Sequence, residues 1–197
     1  MKPTLRSRRH FARLWPLVAV LGLLVIAAAG RSPGTKPAGP SLLADKYIGA
    51  KKCENCHDAE ASGNQWGAWE KGPHAQAFTT LATDAAKAIA AEKGIADPQQ
   101  APECLKCHTT AGFLAGVKTG AKYDQARGVG CESCHGAGSG YKSMSVMKDH
   151  DASVAAGLVV PTEETCTACH NEKSPTFKGF DFAEYSAKIA HPNPAAE

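Results

Sequence analysis

Four five-residue patterns constrain this chain more than any other feature: CENCH at 53–57, CLKCH at 104–108, CESCH at 131–135 and CTACH at 166–170. Together they use all eight cysteines, so none is left over for another purpose. Cys-x-x-Cys-His is the attachment pattern of c-type haem. The spacing has a chemical reason: two thiols add to the two vinyl groups of one haem, and the adjacent histidine then falls under the iron as its proximal ligand. Paired cysteines also build zinc sites and disulfide scaffolds, but neither requires a histidine directly after every pair. Here every pair has one, in a chain with only eight histidines. The pattern therefore selects haem. On this reading Cys53, Cys56, Cys104, Cys107, Cys131, Cys134, Cys166 and Cys169 attach four haems c, and His57, His108, His135 and His170 are the proximal iron ligands.

Counting the remaining ligands is equally informative. Each iron keeps one further axial position, whereas the histidines outside the motifs are His10, near the N-terminus, and His74, His150 and His191. Three distal candidates face four positions. Bis-histidine ligation is the expected arrangement and gives a lower potential than His/Met ligation. Met144 and Met147, just ahead of His150, are the only methionines after Met1, and packing against a haem is their expected role. If His74, His150 and His191 all bind, one iron is five-coordinate or is completed by a Met, water, substrate or neighbouring molecule.

Residues 1–29 read as a signal peptide, or an uncleaved anchor, with Lys2, Arg6, Arg8, Arg9 and Arg13 ahead of an apolar run and small residues at its end. Five of the 22 basic residues and none of the 19 acidic ones lie there, so the rest of the chain carries a net charge near −2. That balance excludes a nucleic-acid partner. Residues 30–46 are rich in Pro and Gly and read as a flexible linker, with the tetrahaem domain spanning 47–197. The expected location is the periplasm, where c-type haem is attached after export; a membrane-anchored or extracellular placement is the alternative.

Between the motifs the pattern is helical. The alanine-rich stretch from Pro73 to Gly94 predicts one helix of about five turns with His74 in its first turn. A second helix is predicted at 180–190, where Phe182, Tyr185 and Ile189 share a face and His191 follows, and a short third one over 148–157. Only a weak strand pattern appears, near 113–118. The predicted fold is mainly α, a small multihaem cytochrome c fold with few or no strands, in which four haems supply much of the core. Trp66 and Trp69 are expected on haem faces or edges, and the GAGSG run at 136–140 as a tight turn beside a haem.

The stretches GVGCESCHGAGSG, KKCENCHDAEASGNQWGAWEKGPHAQAF and CTACHNEKSPTFKGF resemble the tetrahaem cytochrome c-554 family, over about residues 47–191. The resemblance implies a mostly helical electron carrier with closely stacked haem pairs, three bis-histidine haems and one five-coordinate haem. Carried over by matching stretches, it implies His74 as distal ligand opposite His170, His150 opposite His57 and His191 opposite His135, with the iron of His108 open.

The function expected from all of this is an electron carrier between redox partner proteins, with no catalytic side chains. Two alternatives differ in kind. One is reduction of a small nitrogen oxide at the open iron, for which Glu103, Lys106 and Lys118 are the nearest charged groups by sequence. The other is a subunit of an extracellular cytochrome filament, a homo-oligomer in which a neighbour supplies the missing ligand.

Overall fold

The computed structural model describes residues 46–112, 117–191, 193 and 194. The expected signal segment, nearly all of the linker and most of the weak strand run at 113–118 lie outside the described residues. Among the described residues no helix is long and apolar enough to cross a membrane.

The architecture is mainly helical. In chain order the helices are α1 (Lys51–His57), α2 (Gln65–Glu70), α3 (Ala77–Thr80), α4 (Asp84–Glu92), α5 (Pro102–His108), α6 (Cys131–His135), α7 (Met144–Met147), α8 (His150–Ala155), α9 (Glu163–Thr167) and α10 (Phe182–Ile189). Two parallel two-residue strands, β1 (Lys46–Tyr47) and β2 (Lys118–Thr119), join the start of the domain to its middle.

None of the helices exceeds nine residues, a length marginal for an isolated helix in water. Local signals start them where the sequence supplies acceptors for free N–H groups. The side chains of Asn64, Thr83, Asp149 and Asp181 each accept from a first-turn amide, and Pro102 occupies the first turn of α5. The predicted helix over 73–94 is instead two. Thr83 sits in extended geometry (φ −69°, ψ 154°) and its hydroxyl accepts from Ala86 N–H, so the chain restarts as α4 rather than continuing from α3. His74 accordingly lies in the turn before α3. The predicted helix at 180–190 is α10, with His191 just past its end. Its third predicted neighbour is α8, preceded by the short α7.

The polypeptide core is small: Tyr47, Ala111 and Ala137 pack together with Val117 and Tyr123 against them, and Ile48, Ala50, Trp66 and Tyr141 are also buried. The most completely buried side chains are polar, Glu132, Thr109 and Ser153. Such groups hold structure only when hydrogen-bonded, and each is: Thr109 Oγ1 donates to Leu105 O at 2.7 Å, Ser153 Oγ to Val146 O at 2.9 Å, and Glu132 accepts from three backbone amides.

Candidate haem centres

Helix geometry prepares the cysteine pairs. Residues three apart lie on one face of a helix about one turn apart, and α1, α5 and α6 each carry a whole motif and end on its histidine. In the fourth motif α9 holds Cys166, and the turn is completed by Cys169 and His170, whose amides both donate to Cys166 O, at 3.1 and 3.0 Å.

Three of the motif histidines are oriented by a hydrogen bond at Nδ1. His108 Nδ1–H donates to Ala77 O at 2.7 Å, His135 Nδ1–H to Val159 O at 3.1 Å, and His57 Nδ1–H to Gln65 Oε1 at 3.2 Å. An oxygen acceptor places the proton on Nδ1 and leaves Nε2 as the lone-pair ligand, the usual outer support of a metal-binding imidazole. His170 is held differently, with its ring stacked on Phe180 at 5.1 Å and 23°, and Tyr185 packed against Phe180. Burial lowers the affinity of His74, His135 and His170 for a proton, so all three are neutral imidazoles at neutral pH. That is the form an iron requires.

The fold brings two pairs of histidine rings together, one edge-on and one tilted. His74 and His170 have ring centres 6.0 Å apart, and His135 and His191 have theirs 5.9 Å apart. Two metal–nitrogen bonds of roughly 2 Å, with about 1 Å from each ring centre to its nitrogen, span about 6 Å. The spacing and donor chemistry therefore fit an iron between each pair. His150 is placed otherwise: at the start of α8 its side chain is exposed and meets Asp151 at 3.3 Å, with no ring contact to His57 among the described residues. Among the described residues no other histidine ring is in contact with that of His108.

The thiols bring the motifs themselves together. Cys53 and Cys131 share a hydrogen bond, which raises Cys53 and lowers Cys131. Cys169 is pushed up to about 12, chiefly by burial and then by the adjacent Cys107. Burial, with Cys166 and Cys131 nearby, pushes Cys134 up to about 11. Thus motif 1 lies against motif 3, motif 2 against motif 4, and Cys134 and Cys166 connect the two groups.

The chain between His108 and motif 3 is fastened by Thr110. Its N–H donates to Gly128 O at 2.9 Å, its hydroxyl oxygen accepts from Gly130 N–H at 2.7 Å, and its carbonyl accepts from Tyr123 OH. Gly128 has φ +69°, and a Cβ there would sit 2.6 Å from His74 O, so the segment reaches His74 only because this residue lacks a side chain. Val129 N–H then donates to His74 O, and Val129 O accepts from Trp69 Nε1, both at 2.9 Å. Trp66 is buried, in contact with Trp69 at 4.9 Å, while Lys51 and Arg127 lie over it at 5.7 and 5.9 Å. In the GAGSG turn Gly138 N–H donates to Glu132 Oε1.

A family model described as cytochrome c554 and c-prime matches residues 52–136. A curated relative, cytochrome c-554 of Nitrosomonas europaea, is 32% identical over 164 residues, covering 74% of this chain and 67% of its own. The chain belongs to the cytochrome c-554 family. It is a c-type cytochrome, and membership gives it covalent haem c with iron and electron transfer as its activity. No solved structure matches it.

Sequence reasoning missed Thr110 and Glu132. Each reads locally as an ordinary polar residue beside a motif, and its role comes chiefly from distant partners, Gly128 and Gly130 for Thr110 and Ile48 and Gly49 for Glu132. Glu103 and Lys118, considered as neighbours of an open iron, are exposed, and Lys106 is half-buried.

Proposed function

We propose that this c-554-family protein is an exported, periplasmic tetrahaem carrier that passes single electrons through two close haem pairs, one on motifs 1 and 3 and one on motifs 2 and 4. Haem supplies reversible ferric/ferrous chemistry. The polypeptide supplies attachment, axial ligands, water exclusion and spacing. The observation that carries the reading is the adjacency of thiols from different motifs, Cys53 with Cys131 and Cys107 with Cys169; the histidine pairs His74–His170 and His135–His191, at iron-spanning distance, support it independently. His57 also lies near enough to His135 to disfavour its protonation, as neighbouring haem sites require. The redox partners are proteins docking at exposed haem edges, and the N-terminal segment is the membrane-side tether if it is not cleaved.

Haem content tests this reading directly. Pyridine haemochrome absorbance and intact mass should give four haems per chain; a smaller number ends the tetrahaem reading. Low-temperature EPR of the oxidised protein should show about one haem in four high-spin at every dilution, and His150→Ala should add a second if His150 completes the iron of His57. An unchanged spectrum in His150→Ala removes that ligand assignment.

A second reading has its own observation. Since among the described residues no histidine ring meets His108, its iron would be open to a small nitrogen oxide, and reductase turnover would accompany ligand binding there. High-spin signal that appears only on dilution would instead indicate a ligand donated by a second copy, the filament arrangement.

A further inference from the structure

We propose that Glu132 is a fixed buried anion that holds down the reduction potentials of the haems attached to motifs 1 and 3. The inference rests on the tetrahaem reading above and assigns a new role within it. Glu132 stands between the two cysteines of motif 3, and its side chain is only 2% exposed. Its Oε1 accepts from Ile48 N–H at 2.8 Å and Gly138 N–H at 2.7 Å, and its Oε2 from Gly49 N–H at 2.8 Å. Ile48 and Gly49 lie just ahead of α1, which carries motif 1. One carboxylate therefore pins the start of motif 1 to the middle of motif 3.

All three partners are donors, and a carboxylic proton would have to point at one of them. Burial pushes the carboxyl above its ordinary value while the three amides pull it back, so the site is built around the charged form. No cation pairs with it among the described residues. The negative charge is therefore balanced only by amide dipoles, and its field spreads outward. Tyr47, Tyr123 and Tyr141 surround it, and burial first and then the Glu132 charge disfavour ionisation of their hydroxyls.

An uncompensated anion in a water-poor site opposes arrival of an electron at a nearby iron and so favours the ferric state. Motifs 2 and 4 have a different neighbour. Lys106, half-buried between them, eases ionisation of Cys104 and Cys169. The two haem pairs thus lie in fields of different character.

The test is spectroelectrochemical titration of wild type, Glu132→Gln and Thr110→Val, each after its haem content has been counted. Glu132→Gln keeps the shape and removes the charge. It should raise two of the four midpoint potentials and leave the other two in place. Thr110→Val loosens the same neighbourhood without changing charge and should leave all four at wild-type values. Glu132→Gln with four haems and unmoved potentials overturns the proposal, as does Thr110→Val moving the same two by the same amount. A wild-type haem count below four overturns the tetrahaem reading itself, a result read before any potential. Should Glu132→Gln fail to assemble, the wild type decides. Protein enriched in carboxyl-¹³C glutamate should show, in its redox infrared difference spectrum, an isotope-shifted ionised carboxylate band that follows the two lower-potential haems. Its absence, or a protonated-acid band in its place, overturns the proposal.

Discussion

The part of the molecule around motifs 1 and 3 and the part around motifs 2 and 4 are built by different means. Around motifs 1 and 3 the polypeptide makes its own interior: Tyr47, Ile48, Ala50, Ala137 and Tyr141 are buried, the two short strands pair beside them, and Glu132 ties three amides together. Around motifs 2 and 4 the buried apolar residues are few, chiefly Leu81 and Ala90, and α10 has no buried residue. Tyr185 and Ile189 on α10 are among the exposed large apolar side chains. There the order comes from aromatic contact, with Phe180 on His170 and Tyr185 on Phe180. Backbone hydrogen bonds to a buried carboxylate fix position rigidly, because leaving such a group unsatisfied is costly. Stacked rings fix orientation at lower cost and tolerate sliding. One pair of motifs is thus positioned by the chain, and the other depends more on what packs against it.

The largest effect should separate the two parts at the level of assembly. Replacing Cys131 and Cys134 by Ser removes attachment where polypeptide contacts are densest, and most of the holoprotein should be lost. Replacing Cys166 and Cys169 by Ser should leave a recoverable protein with three haems. Equal yields of the two variants, read by haem-stained gel and pyridine haemochrome, would erase the contrast. Next comes Thr110→Val, which strands Gly130 N–H in a buried site and should cost about 1–3 kcal/mol in denaturant melts, while Thr110→Ser stays close to wild type. A larger loss in Thr110→Ser than in Thr110→Val would mean that the methyl group, not the hydroxyl, matters. Phe180→Leu keeps apolar bulk but removes the stacked ring, with an expected cost of about 0.5–1.5 kcal/mol and a changed low-spin EPR signal for a single haem. A change in stability with all haem signals intact would show that His170 does not need the ring for orientation. The smallest effect should be Asp181→Ala, about 1 kcal/mol for a lost helix cap. It should loosen α10 without touching the signals of motifs 1 and 3.

Much of the site was legible in the residues because haem attachment is a local chemistry. Two thiols and an imidazole within five residues form one unit whatever the rest of the fold does, and three of the four units are short helices that end on their histidine. The helix over Phe182–Ile189 was legible too, since its apolar face and the Asp181 cap are both encoded within it. The single long helix over 73–94 was not what formed. Alanine content favours continuation there, but Thr83 offers its hydroxyl to Ala86 N–H, and a local cap outweighed the weak propensity of the run.

By itself the sequence determined the c-type haem chemistry that family membership bears out, and it set the expected ligands, because these depend on residue types and on spacings of a few residues. Only the tertiary structure decided which motifs lie together and that Glu132 is interior rather than a solvated charge; it also puts His74 against His170 and His191 against His135, the pairs that the resemblance implied. Such facts depend on hydrogen bonds between residues many tens of positions apart, such as Ile48 N–H to Glu132, and no local pattern records them. A glutamate between two cysteines looks the same in sequence whether water or three amides surround it.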